Sequence, residues 1–103
     1  MIDWTRVDDL RNEVGDEDMI EIAEIFLDEM SETIDPIRTG QRPTSVTEAL
    51  HFLKGASLNV GFHDLATACA NAEKAGDPED LSAIVRLFDL SRAEFLSGLN
   101  QLR

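Results

Sequence analysis

His51, Lys54 and Gly55 lie within a five-residue span of this 103-residue chain. Neutral imidazole, with an unperturbed pKa of about 6.5, is largely available as a nucleophile at neutral pH. An ammonium one helical turn away stabilises charge that gathers on a transferred oxyanion such as a phosphoryl group. Either ring nitrogen can attack, and the sequence does not say which one points outward. Gly55 adds a second feature. In a helix interior it costs about 1 kcal/mol relative to Ala, and a missing side chain beside an imidazole leaves room for something to come close.

The element that must position these residues is a helix. At about 100° per residue, Val46, Ala49, Leu50, Leu53, Ala56, Ser57 and Val60 fall on one side, which is the expected core face. His51 projects roughly 160° from the centre of that face and is expected to meet solvent. Gly55 and Leu58 stand on either side of His51, with Lys54 and Thr47 on one flank. Leu58 is apolar on a face that needs only polar residues if water alone meets it. A histidine, a gap and an apolar contact together form a candidate docking surface. Ser45-Val46-Thr47-Glu48 is a capping box that starts the helix, and Gly61 is a left-handed stop.

The rest of the chain also reads with the helical period, without the strict alternation of strands. A short first helix is capped by Asp3, carries Trp4, Val7 and Leu10 or Val14 inward, and stops at Gly15. Asp16 or Glu17 opens a long second helix with Met19 or Ile20, Ala23, Phe26 or Leu27, Met30, Ile34 and Ile37 on its stripe. Pro36 is expected to kink its last turn or end it near Asp35. Arg38 to Thr44, holding Gly40 and Pro43, is the most loop-like stretch. The fourth helix is expected from about Phe62 to Ala75, with Leu65, Cys69 and Ala72 inward and enough alanine for close approach of a neighbour. Gly76 ends it. Asp77 then caps a fifth helix with Pro78 at its first position and Glu79 and Asp80 in its first turn. Leu81, Ile84 or Val85, Phe88, Phe95, Leu99 and Leu102 form that helix's stripe. The expected fold is all-α: an antiparallel four-helix bundle with an additional short N-terminal helix, built as a single domain over residues 1–103.

Composition narrows the function. A formal net charge of -12 repels phosphate backbones and anionic lipid surfaces, so neither nucleic acid nor a membrane is an expected partner. No apolar run approaches about 18 residues, and Met1 to Arg6 lacks the order of a signal peptide, so a cytoplasmic location and a monomer are the simplest expectations. The single Cys69 is expected as a small core residue. His63 is read as a helix-start surface residue, and no third ligand accompanies it and His51 as a metal site would need. The carboxylates between Asp16 and Glu32 read as a solvated helix face.

The run ALHFLKGASLNVGF, residues 49–62, resembles the histidine-phosphotransfer (HPt) signature His-x-x-Lys-Gly-x-Ser-x-x-x-Gly at His51, Lys54, Gly55, Ser57 and Gly61. Helix order and length are also similar along the chain. The Ala72-Glu73 end of the fourth helix matches in part, because the family usually carries a larger apolar residue where Ala72 stands. The resemblance implies a phosphorelay intermediate with His51 as phosphoacceptor, Lys54 assisting the phosphoryl group and Gly55 keeping the approach open. It implies that Ser57 and Gly61 serve helix packing and the helix end. It further implies response-regulator receiver domains and a hybrid histidine kinase as partners, with the divalent metal carried by the receiver and no cofactor on this chain. Thr47, Leu58, Ile22 and Ile25 are the candidate docking residues. No phosphate-binding loop is recognisable, so no autonomous ATP-dependent kinase activity is expected. Two other readings compete: a helical adaptor without phosphoryl chemistry, and an excised phosphoacceptor domain of a chemotaxis-type kinase.

Overall fold

The computed structural model describes residues 1–76, 78 and 80–101. Among them are five helices: α1 (Trp4–Val14), α2 (Asp16–Arg38), α3 (Val46–Val60), α4 (His63–Lys74) and α5 (Ser82–Gln101). The expected cap at Asp77, the acid at Glu79 and the stripe residue Leu102 lie outside the described residues.

Local capping chemistry sets most of the boundaries. The Asp3 carboxylate accepts from the Thr5 and Arg6 amides at 3.1 and 3.2 Å, satisfying donors that an α-helix leaves orphaned at its start. Ser45 Oγ accepts from the Glu48 amide at 3.2 Å. Gly61 closes α3 in the left-handed region at φ 80°, ψ 20°.

Two expected boundaries move. Helix α2 does not end near Asp35 but runs on to Arg38 with Pro36 inside it. Proline's fixed φ suits a helix, and the last turn closes through the Thr39 amide, which reaches the Asp35 carbonyl at 3.2 Å, and the Gln41 amide, which reaches the Pro36 carbonyl at 2.9 Å. Arg38 is further held by a two-pronged bond to Asp89 of α5, at 2.6 and 2.8 Å. At the other boundary, Pro78 is not in the first turn of α5, which begins four residues later at Ser82. The Pro78 carbonyl accepts instead from Arg42 Nη2 at 2.7 Å, and the Asp80 carboxylate accepts from the Ser82 amide at 2.9 Å.

Helices α3 and α4 form the most extensive pairing, as expected for a helix carrying five alanine and cysteine positions between Ala66 and Ala72. Contacts of α4 with α5, α5 with α2 and α2 with α3 close the circuit, and α1 packs on α2 and α3. The enclosed core includes Met30, Ile34, Leu50, Leu53, Val60, Phe62, Leu65, Phe88 and Phe95, all almost fully buried. Cys69 is buried among them. Trp4 stacks on Phe95 with ring centroids 6.2 Å apart, and Phe62 meets Phe95 edge-on at 5.5 Å. The N-terminal segment pairs with the α3–α4 turn through an antiparallel bridge between Ile2 and Phe62 and a 2.7 Å bond from the Asp3 amide to the Gly61 carbonyl.

Candidate functional site

The inward positions of α3 behave as its periodicity requires. Val46, Leu50, Leu53, Ala56, Ser57 and Val60 are buried and Ala49 is half-buried. Their packing turns the opposite side of the helix outward, and the His51 side chain is 75% exposed. A Cβ built on Gly55 meets no atom of a neighbouring side chain or element within 4 Å, so the space beside the imidazole is open. Thr47 is exposed and Leu58 is 57% exposed on the same outer surface.

Lys54 lies at the edge of this surface, toward α4, and there it finds a partner that sequence reasoning did not assign. Glu73 Oε1, from the last turn of α4, sits 3.2 Å from Lys54 Nζ, while Glu73 Oε2 sits 3.8 Å from His51 Nδ1. One carboxylate thus faces both residues. Glu73 is only 19% exposed and Lys54 29% exposed, so both charges are partly removed from water. Oε1 is fully buried, at ion-pair distance from the ammonium but without a hydrogen bond aligned on it. The only trace of Glu73 in the sequence was the partial match at the end of the fourth helix. The distance between two helices is what makes the pair, and no local pattern carries it.

Cys69, one turn before Glu73 on α4, lies beneath the pair. Burial first, and then the Glu73 carboxylate, push its thiol up to about 12, with Lys54 acting in the opposite direction. The thiol is therefore protonated at neutral pH and no competing nucleophile.

Phe52 is a second residue that sequence reasoning missed. It is 38% exposed next to His51, roughly 100° from the centre of the α3 core face on the flank opposite Lys54. The helical wheel that located His51 contains this signal: a large aromatic ring off the buried stripe. On α2, Ile20 and Glu24 line a groove against α5, and Ile22, on the other side of the buried stripe, is half-buried. Ile25 is 51% exposed and stands nearly opposite the stripe of Met19, Ala23, Leu27 and Met30. The structure therefore brings His51, Lys54 and Glu73 together, places Thr47, Gly55 and Leu58 around them, and sets Ile25 on the outer side of a neighbouring helix. His63 is exposed at the first position of α4. Among the described residues no three His, Cys, Asp or Glu side chains converge as a metal ion requires, and no helix is long and apolar enough to cross a membrane.

A family model described as Hpt domain matches residues 21–103 of the chain. No curated protein and no solved structure matches it.

Proposed function

We propose, from the premise that this chain belongs to the Hpt domain family, that it is a phosphorelay intermediate accepting a phosphoryl group on His51 from one receiver domain and passing it to another. Membership itself carries the general role, histidine phosphotransfer in two-component signalling with receiver domains as partners. The identity of the acceptor residue and the direction of transfer are the proposal.

The observation that carries it is an imidazole 75% exposed, beside an open glycine and next to a partly buried ammonium–carboxylate pair. Glu73 Oε2 near Nδ1 favours the tautomer with its proton on that nitrogen. The lone pair of Nε2 then attacks phosphorus as the bond from phosphorus to the receiver's aspartyl oxygen breaks. The carboxylate leaves with that electron pair, and the ring keeps its proton at Nδ1. Transfer onward reverses these steps on a second receiver's aspartate. Lys54 stabilises the phosphoryl oxygens, and Gly55 lets the receiver's acyl phosphate come within bonding distance. The divalent metal belongs to the receiver. Thr47, Leu58, Ile22 and Ile25 form the receiver-docking patch, joined by Phe52. On this reading the helical circuit is the antiparallel four-helix bundle of the family, and the protein is a cytoplasmic monomer served by a hybrid histidine kinase.

The test is to mix the protein with receiver domains of its host carrying aspartyl phosphate and to assay acid-labile, base-stable phosphate on this chain. The expected result is label on the wild type and none on His51→Gln. Equal labelling of both, or no labelling from any receiver of the host, would falsify the assignment.

A further inference from the structure

A concavity of about 520 Å³ opens where the end of α2 and the loop after it meet the start of α5. Its volume lies within the roughly 300–1,000 Å³ typical of small-molecule sites. None of its lining residues belongs to α3 or α4, so it is separate from the surface around His51. Its wall is aliphatic, made by Ile37 from α2 and by Leu81, Val85 and Leu90 at and within α5. Leu90 is 49% exposed there, an apolar side chain that the fold leaves uncovered.

The polar part of the lining is unusual for this chain. Arg38, Arg42 and Arg86 all contribute, three of the nine lysines and arginines in a sequence of net charge -12. Their partners divide them. Arg38 is committed to Asp89 through both prongs of its guanidinium and lies 3.6 Å from Asp35. Asp89 is in turn held ionised, its carboxyl kept below the usual range by the Arg38 hydrogen bond. Asp80, the other acid in the lining, is turned onto the Ser82 amide. Arg42 donates to the Pro78 carbonyl. Arg86 makes no hydrogen bond or ion pair among the described residues, its charge acting on the Asp80 carboxyl only through space, and its guanidinium is a planar two-pronged donor suited to carboxylate and phosphate.

We propose that this concavity binds a small amphipathic anion, a carboxylate or phosphate monoester with an alkyl or aryl body. The head group pairs with Arg86, and the body covers Ile37, Leu81, Val85 and Leu90. An anion alone has too little to hold it on a surface arginine, where exposed ion pairs contribute little. An apolar body alone leaves the guanidinium unused. The combination is what the lining matches.

The test titrates the isotope-labelled chain with octanoate, octyl phosphate, 1-octanol and inorganic phosphate and follows backbone amide resonances. Saturable shifts at Gly40, Ser82 and Arg86 are expected for octanoate or octyl phosphate below about 10 mM, and the tighter of the two identifies the head group. Arg86→Gln is expected to weaken binding roughly tenfold, the scale of one charge-assisted hydrogen bond. Leu90→Asn weakens it as well, whereas Lys74→Gln, the same charge change on α4, leaves it unaltered. All three sites are exposed, and unchanged thermal midpoints verify that the variants fold. The proposal is overturned by the absence of saturable shifts, by 1-octanol or inorganic phosphate binding as tightly as the amphipathic anions, or by Arg86→Gln binding like the wild type.

Discussion

At the scale of single residues, Gly55 separates stability from transfer. Its surroundings are open and its backbone is helical, so a side chain there meets no obstacle within the molecule. Gly55→Ala is expected to raise stability by up to about 1 kcal/mol in urea denaturation, because Ala is the better helix former. Gly55→Leu is expected to leave the urea midpoint at or above wild type while slowing phosphoryl uptake by about tenfold, or 1.4 kcal/mol of transition-state stabilisation. Loss of transfer together with loss of stability would reassign the glycine to packing. Lys54 shows the opposite coupling. Removing its ammonium leaves the buried Glu73 oxygen without its one close partner. Lys54→Ala should cost about 1–2 kcal/mol, discounted from fully buried pairs because the lysine is partly exposed. Adding Glu73→Gln should restore part of that loss, whereas two independent sites would give additive costs.

Among the helices, the contact of α1 with α5 depends on one small residue. A Cβ on Gly98 would overlap the Trp4 indole, whose ring lies against that spot while stacking on Phe95. Gly98→Ala is therefore expected to destabilise by about 1–3 kcal/mol despite its better helix propensity, and trimming the indole with Trp4→Leu should relieve the penalty. Thermal midpoints of the two single variants and the double variant decide this. The same element scale shows what could be read from the chain alone. Asp3, Ser45 and Gly61 act on atoms a few residues away, so the ends they control were legible, and the 100° step turned the α3 pattern into an outward His51. Of the two outcomes expected at Pro36 the early stop does not occur, and Pro78 was misplaced in the first turn of α5; at both places contacts with groups distant in sequence contribute. Arg38 meets Asp89 across 51 positions and Arg42 meets Pro78 across 36. The Glu73 partnership with Lys54 is of the same kind, set by how closely α3 and α4 pack.

For the molecule as a whole, the Arg38–Asp89 link ties the end of α2 to α5 and makes stability sensitive to acid. Asp89 has a carboxyl held below its ordinary value, first by the Arg38 hydrogen bond. A depressed carboxyl contributes stability that is full above its unfolded pKa, about 3.9, and is lost as pH falls through the lower native value. Thermal midpoints should therefore decline below about pH 4, and Asp89→Asn should flatten that decline; an identical acid limb in the variant would remove the link from the account. A different tie acts at the other end of the molecule. Residues 1–3 meet the turn between α3 and α4 through main-chain atoms, with the Asp3 amide on the Gly61 carbonyl and the Asp64 amide 3.4 Å from the Met1 carbonyl. At Gly61 a Cβ would stand 2.7 Å from the Asp3 carbonyl oxygen, so the receiving side of this clasp accepts only glycine. The inserted side adds side chains to its peptide groups, with Ile2 buried in the core and the Asp3 carboxylate capping α1. The beginning of the chain is thus fastened by its backbone and by the Ile2 and Asp3 side chains together, a splint that braces the turn following the histidine helix.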